Sequence, residues 1–143
     1  MKRTVLIWLG LSLLGTFVSH AANAAELDVS VTDIERAEGT SVMALFDSET
    51  AWKGNGKPVR TAKVDVSGDA VSVRFDDLPA GRYAIRLFHD ENSNGKMDTN
   101  AVGIPKEGYG FSGKGGLFGP PKFKKASFEI DDGETNALVI RLR

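Results

Sequence analysis

The chain has 143 residues, with 18 Lys plus Arg against 19 Asp plus Glu, a formal net charge of −1, 41% hydrophobic and 26% charged residues. These are globular proportions at single-domain length, and no basic excess is available to attract nucleic acid. The absence of cysteine excludes a disulfide framework, a thiolate zinc site and a cysteine nucleophile.

At the start, Lys2 and Arg3 precede an apolar run from Val5 to Val18, and Ala22-Asn23-Ala24 supplies small residues where a signal peptidase reads them. The apolar run is shorter than the roughly 20 residues that span a bilayer, and no later segment offers a span. Residues 1–24 are therefore expected to be a cleaved signal peptide and 25–143 one domain, periplasmic or secreted. Without Lys2 and Arg3 that domain carries 16 basic against 19 acidic side chains, net −3. Export removes ATP and NAD as routine partners.

Beyond the leader, Leu27, Val29 and Val31 alternate with Asp28, Ser30 and Thr32, the period-two pattern of a strand with one buried face. Further apolar sets follow at Val42, Ala44 and Phe46, at Val64 and Val66, and at Val71, Val73 and Phe75 beyond the turn residues Ser67-Gly68-Asp69. Tyr83, Ile85 and Leu87 form the fifth set, Ala126, Phe128 and Ile130 the sixth, and Leu138, Ile140 and Leu142 the seventh, after a turn at Asp131-Asp132-Gly133. No window holds helical periodicity over three turns, and only short helical turns are expected, at Glu35–Glu38 and Ser48–Lys53. Seven short strands with recurrent turn signals predict an antiparallel β-sandwich. Leu78-Pro79-Ala80-Gly81-Arg82-Tyr83 reads as a corner that the Tyr83 hydroxyl pins by bonding nearby backbone.

The segment from His89 to Lys122 does not alternate and is rich in Gly, Asn and Pro. It exceeds ordinary connection lengths, which marks functional or disordered segments. Met97, Val102, Ile104, Tyr109, Phe111, Leu117 and Phe118 argue for a packed loop. Within it, Asp90, Asn92, Asn94 and Asp98 occupy positions one, three, five and nine of a segment with Gly95 at position six, the oxygen spacing of an EF-hand-like calcium loop. Lys96, at position seven, would offer its backbone carbonyl. Position twelve, where a bidentate glutamate belongs, holds Ala101, so Glu107 or water would have to complete the shell and affinity would fall in the weak extracellular class, roughly 0.1 to 1 mM. The same residues also fit a simpler arrangement: Asn94-Gly95 as a tight turn, with Asp90 and Asn92 bonded to loop amides.

Gly108-Tyr109-Gly110-Phe111-Ser112-Gly113 matches the dinucleotide fingerprint by letter, and Gly108 through Lys114 nearly matches a phosphate loop. Both motifs work by opening a helix onto phosphate, which Gly115, Gly116, Gly119, Pro120 and Pro121 forbid, so no nucleotide partner is expected. His89 is the one histidine beyond the leader, which rules out histidine-cluster metal sites. No nucleophile turn accompanies it, and a carboxylate cluster among asparagines suits a cation better than a protonated acid. No enzyme is expected. Trp52, Tyr109, Phe111 and Phe118 either line a groove or close the ends of the core, and Lys114, Lys122, Lys124 and Lys125 either touch an anionic polymer or protect an edge strand.

The stretch from Leu87-Phe88-His89-Asp90-Glu91-Asn92 through Asn94-Gly95-Lys96-Met97-Asp98-Thr99-Asn100 to Gly103-Ile104-Pro105-Lys106-Glu107-Gly108-Tyr109-Gly110-Phe111-Ser112, with the Gly81-Arg82-Tyr83 corner before it and Gly119-Pro120-Pro121 after it, resembles an exported bacterial family, domain of unknown function 2141. The resemblance implies a small exported β-sandwich related in style to transthyretin-like modules, and no activity. The expectation is thus a seven-stranded antiparallel β-sandwich, immunoglobulin-like or transthyretin-like, with one long packed loop. Its specific chemistry would be a structural calcium ion on Asp90, Asn92, Asn94, Lys96 and Asp98. The rival is a cell-envelope module that reads a glycan or peptide through residues 108–119, with Tyr109, Phe111 and Lys114 in contact.

Overall fold

A computed structural model describes residues 24–115 and 119–143. The expected leader lies outside them apart from Ala24, as do Leu117 and Phe118. The chain forms β1 (Ala25–Thr32), β2 (Thr40–Phe46), α1 (Glu49–Trp52), β3 (Arg60–Asp65), β4 (Val71–Leu78), β5 (Gly81–Asp90), β6 (Tyr109–Phe111), α2 (Phe123–Ala126), β7 (Phe128–Ile130) and β8 (Thr135–Arg141). The fold is all-β and sandwich-like. One sheet has the order β4-β1-β8, and the other runs β3-β2-β5-β6 with β7 also paired to β5.

Alternation builds the core. Leu27, Val29 and Val31 of β1 are fully buried and meet Met43, Leu45, Phe75, Ile85, Leu87, Ile130 and Ile140 between the sheets. Their outward neighbours carry the polar work. Arg74, for example, bridges Asp28 at 2.7 Å from the adjacent strand. The Tyr83 hydroxyl donates to the Pro79 carbonyl at 2.8 Å, so the corner residue does what its position suggested. Burial pushes the Tyr83 phenol up from its ordinary range.

Each of the seven expected strands has a counterpart, although Ala126 of the sixth set lies in the short helix α2 before β7, and three features of the sheets differ from expectation. An eighth strand, β6, lies inside the long loop. The sandwich is not wholly antiparallel: β1 and β8 pair in parallel from Glu26↔Thr135 to Thr32↔Arg141. Parallel pairing needs a long connection, and here nearly the whole domain supplies it. In β2 the phase is reversed: Ser41, Met43 and Leu45 face the core, whereas Val42 and Ala44 are only half-buried. Of the expected helical turns, α1 forms, with the Ser48 hydroxyl accepting from the Ala51 amide at 3.4 Å; residues 35–38 do not.

One edge of β5 is shared by two short strands. β7 pairs with Gly81 through Tyr83 and β6 with Arg86 through Phe88. The gap is closed by Ser112, which is buried and accepts the Ile85 amide on its hydroxyl at 2.6 Å. Ser112→Ala is expected to leave that amide without an acceptor and cost about 1–3 kcal/mol. Urea unfolding checks the value, and faster hydrogen exchange at Ile85 locates it; unchanged exchange there would refute the assignment.

Candidate functional site

β5 ends at Asp90, which pairs with Thr40 of β2 and is buried although it is a carboxylate. Its Oδ1 accepts from the Asn94 amide at 3.0 Å and its Oδ2 from the Gly95 amide at 2.7 Å. The chain must curl tightly to present those amides. Ser93 and Gly95 do so with φ of 57° and 78°, and Gly95 tolerates that conformation without penalty. Asn92 Oδ1 accepts from the Asn94 amide at 3.1 Å, and Asn94 Oδ1 from the Lys96 amide at 2.8 Å. The Nδ2 atoms of Asn92 and Asn94 donate to the two oxygens of Asp98 at 2.6 and 3.1 Å.

The return limb carries the residue that the regular spacing does not mark. Residues 98–106 form a small hairpin: Lys106 donates to the Asp98 carbonyl at 2.8 Å, Thr99 bridges Pro105, and Asn100 Oδ1 caps the amides of Val102 and Ile104. The hairpin brings back Glu107, buried, whose carboxylate accepts the Glu91 amide at 3.0 Å and the Asp98 amide at 2.8 Å. Glu107 thus closes the loop from the far side while Ala101 is exposed at its tip. Its signal in the sequence was the Asn100…Gly103 turn, which shortens the path home.

The structure therefore brings Asp90, Asn92, Asn94 and Asp98 into one hydrogen-bonded knot, with their acceptors largely occupied by loop amides. Lys96 joins it through its backbone N–H, and its side chain is exposed. Among the described residues no group of three or more His, Cys, Asp or Glu side chains is placed to hold a metal ion. Nor does any of the Asp90, Asp98 or Glu107 carboxylates form an ion pair there, whereas Glu91 pairs with Arg36 at 3.1 Å.

The rival contacts separate. Phe111 is buried, Tyr109 half-buried and Lys114 exposed. Phe111 belongs to a second apolar cluster, with Phe46, Trp52, Ala84 and Phe123, on the face of the five-stranded sheet that points away from the sandwich core. Trp52 stands at its middle, edge-on to Phe46 at 5.5 Å, and donates its indole N–H to the Pro121 carbonyl at 2.8 Å. Tyr109-Gly110-Phe111 of the Gly-Tyr-Gly-Phe-Ser segment is strand β6, not phosphate loop. A Cβ on Gly110 would lie 2.6 Å from the Ile140 side chain, so close packing explains that glycine. His89 is buried, and its Nε2 donates to the Glu38 carbonyl at 2.6 Å. Lys124 and Lys125 sit in α2, with Lys122 at its N-terminal boundary.

These features define a β-sandwich protein whose long loop is knitted by carboxylate and asparagine side chains. The family described as "Uncharacterized protein conserved in bacteria (DUF2141)" matches residues 29–137, and the chain belongs to it. No curated protein and no solved structure matches the chain. Among the described residues no helix is long and apolar enough to cross a membrane.

Proposed function

We propose that this is an exported, non-enzymatic bacterial β-sandwich whose 90–107 loop takes calcium as a structural ion. One observation supports the reading above the others: Asp90 and Glu107 are buried carboxylates on opposite limbs of an oxygen-rich loop, and no cationic side chain among the described residues pairs with either. A buried charge without a counter-charge is costly, and a carboxylate oxygen that accepts one amide hydrogen keeps a lone pair for a cation. Asn92, Asn94, Asp98 and the Lys96 carbonyl supply further oxygen, with Glu107 in the role that Ala101 cannot fill. Bound calcium would supply the missing positive charge and fix the two limbs together.

At about 10 mM calcium, a site of the weak extracellular class stabilises the fold by about 1.5–3 kcal/mol. Thermal unfolding in calcium against chelator measures this, and the increment is expected to vanish in Asp90→Asn and in Glu107→Gln. Superimposable melting curves in the two buffers would dismiss the ion. The second reading, an envelope module that contacts a glycan or peptide through residues 108–119, draws support from the exposure of Lys114 and the partial exposure of Tyr109. Phe111, packed against Trp52 at 6.1 Å, contributes support rather than contact.

A further inference from the structure

On the outer face of the five-stranded sheet, Phe88 opposes Tyr109 and Arg86 opposes Phe111 across the β5–β6 pair, so their side chains stand on one face. The loop limb that carries Met97, Ile104 and Pro105 rises beside them. Between limb and sheet lies a cleft of about 620 Å³ whose lining, among the described residues, is apolar but for Arg86 and the Tyr109 hydroxyl. That volume falls in the range of about 300–1,000 Å³ that small-molecule sites occupy, and such sites combine apolar walls with very few polar groups. Ile104, 58% exposed, stands at the mouth.

Arg86 is unusual for a surface-facing sheet position. Its guanidinium lies 4.6 Å from the Trp52 ring centroid and 5.3 Å from that of Phe46, and one Nη donates to the Trp52 carbonyl at 2.6 Å. Its Nε is buried with no acceptor, and among the described residues no carboxylate lies within ion-pair distance. Of its five N–H donors, one is met among the described residues. Burial holds the guanidinium below its ordinary pKa, the expected result where charge is desolvated without compensation. Lys53 and Lys122 line the adjoining hollow with Arg86 and Trp52; Lys53 pairs with Glu49 at 2.7 Å, and the same carboxylate feels the charge of Lys122, which leaves a net positive surface there.

An apolar trough that ends on an uncompensated, planar cation is complementary to one kind of ligand. We propose that the cleft binds a small amphiphilic monocarboxylate, its apolar chain along Phe88, Met97, Ile104 and Tyr109 and its carboxylate on Arg86. Arginine suits that head group because its planar fork matches a carboxylate with two parallel hydrogen bonds, which are strongest where water is excluded. The cleft shares Met97, Ile104 and Pro105 with the 90–107 loop, but its recognition of a carboxylate rests on Arg86, outside that loop.

The test is a ¹⁵N NMR titration of the protein with dodecanoate, held below its micelle threshold and in chelator so that calcium has no part in the result. Saturable shifts are expected at the amides of Arg86, Phe88, Met97, Ile104 and Tyr109. Arg86→Met is expected to weaken dodecanoate by at least about tenfold while changing the affinity for dodecanol, the uncharged probe of equal length, by less than about twofold. Ile104→Glu, at an exposed position, should weaken dodecanoate by about tenfold by setting a charge where the apolar chain packs, with unchanged melting. Absence of saturable shifts, shifts scattered over the surface, or wild-type affinity for dodecanoate in either variant would overturn the proposal.

Discussion

Replacing Gly39 by alanine is expected to cost about 2–5 kcal/mol and to lower the thermal midpoint by on the order of 10 °C. Two terms add. Gly39 has φ of 72°, where an L side chain is strained by about 1–2 kcal/mol. A Cβ there would also overlap the Asp90 carbonyl oxygen and lie 2.7 Å from the Cα and O of Glu91. These are backbone atoms, which cannot swing aside as a side chain does. Relief would require the start of β2 to part from the end of β5, where Thr40 pairs with Asp90, and would disturb the bond from the Val66 amide to the Gly39 carbonyl at 3.0 Å. Gly95→Ala is the control: φ is 78°, but nothing lies within 4 Å of the added methyl. It should show the strain term alone, about 1–2 kcal/mol. Equal losses in the two variants, by urea unfolding, would show that the close approach at Gly39 carries no weight.

The sequence was most readable where one face of a strand is apolar and the other is not. Leu27, Val29 and Val31 alternate with Asp, Ser and Thr, and all three are fully buried. Tyr83 was legible because a tyrosine just after a Pro-Ala-Gly turn has a backbone carbonyl within reach. β2 was ambiguous for a physical reason: Val42, Ala44 and Phe46 alternate with Met43 and Leu45, so both faces are apolar and period two cannot choose between them. The strand needs both, because the sandwich core takes Met43 and Leu45 while Phe46 serves the outer cluster around Trp52. β6 is three residues long with a central glycine, below the length at which alternation can be seen. The partnership of β1 with β8 was invisible because nothing local encodes a parallel neighbour more than a hundred residues away.

In the loop, spacing identified Asp90, Asn92, Asn94 and Asp98 as residues that share one turn, and they do. What spacing could not give was the direction of each amide or the arrival of Glu107, since both depend on where the 98–106 hairpin returns the chain. Arg86 was equally hidden. In the sequence it alternates with Tyr83, Ile85 and Leu87 as an ordinary solvent-facing residue, and only the outer cluster, formed by α1, α2 and β6 together, turns that position into a partly desolvated one.

Trp52→Ala is expected to remove about 3–5 kcal/mol, because it empties the centre of that outer cluster. The indole is buried and meets three rings, Phe46 at 5.5 Å, Phe111 at 6.1 Å and Phe123 at 6.3 Å. It also holds the Pro121 carbonyl and lies beneath the Arg86 guanidinium. Alanine keeps the backbone carbonyl that Arg86 uses but none of the rest. Trp52→Phe restores a ring without the N–H, so it should recover much of the packing and still lose about 1–2 kcal/mol through the smaller ring and the unmet Pro121 carbonyl. Because the cluster sits across the sheet from the sandwich core, the loss should also be uneven. Native-state hydrogen exchange is expected to quicken most at Ala126 and Ser127, whose amides close α2 onto Lys122 and Phe123, and least in β1, whose apolar face belongs wholly to the other core. Uniform acceleration across β1 and α2 would mean that the two clusters form one cooperative unit; a loss below about 1 kcal/mol would mean that α2 and β6 hold the outer face without the indole.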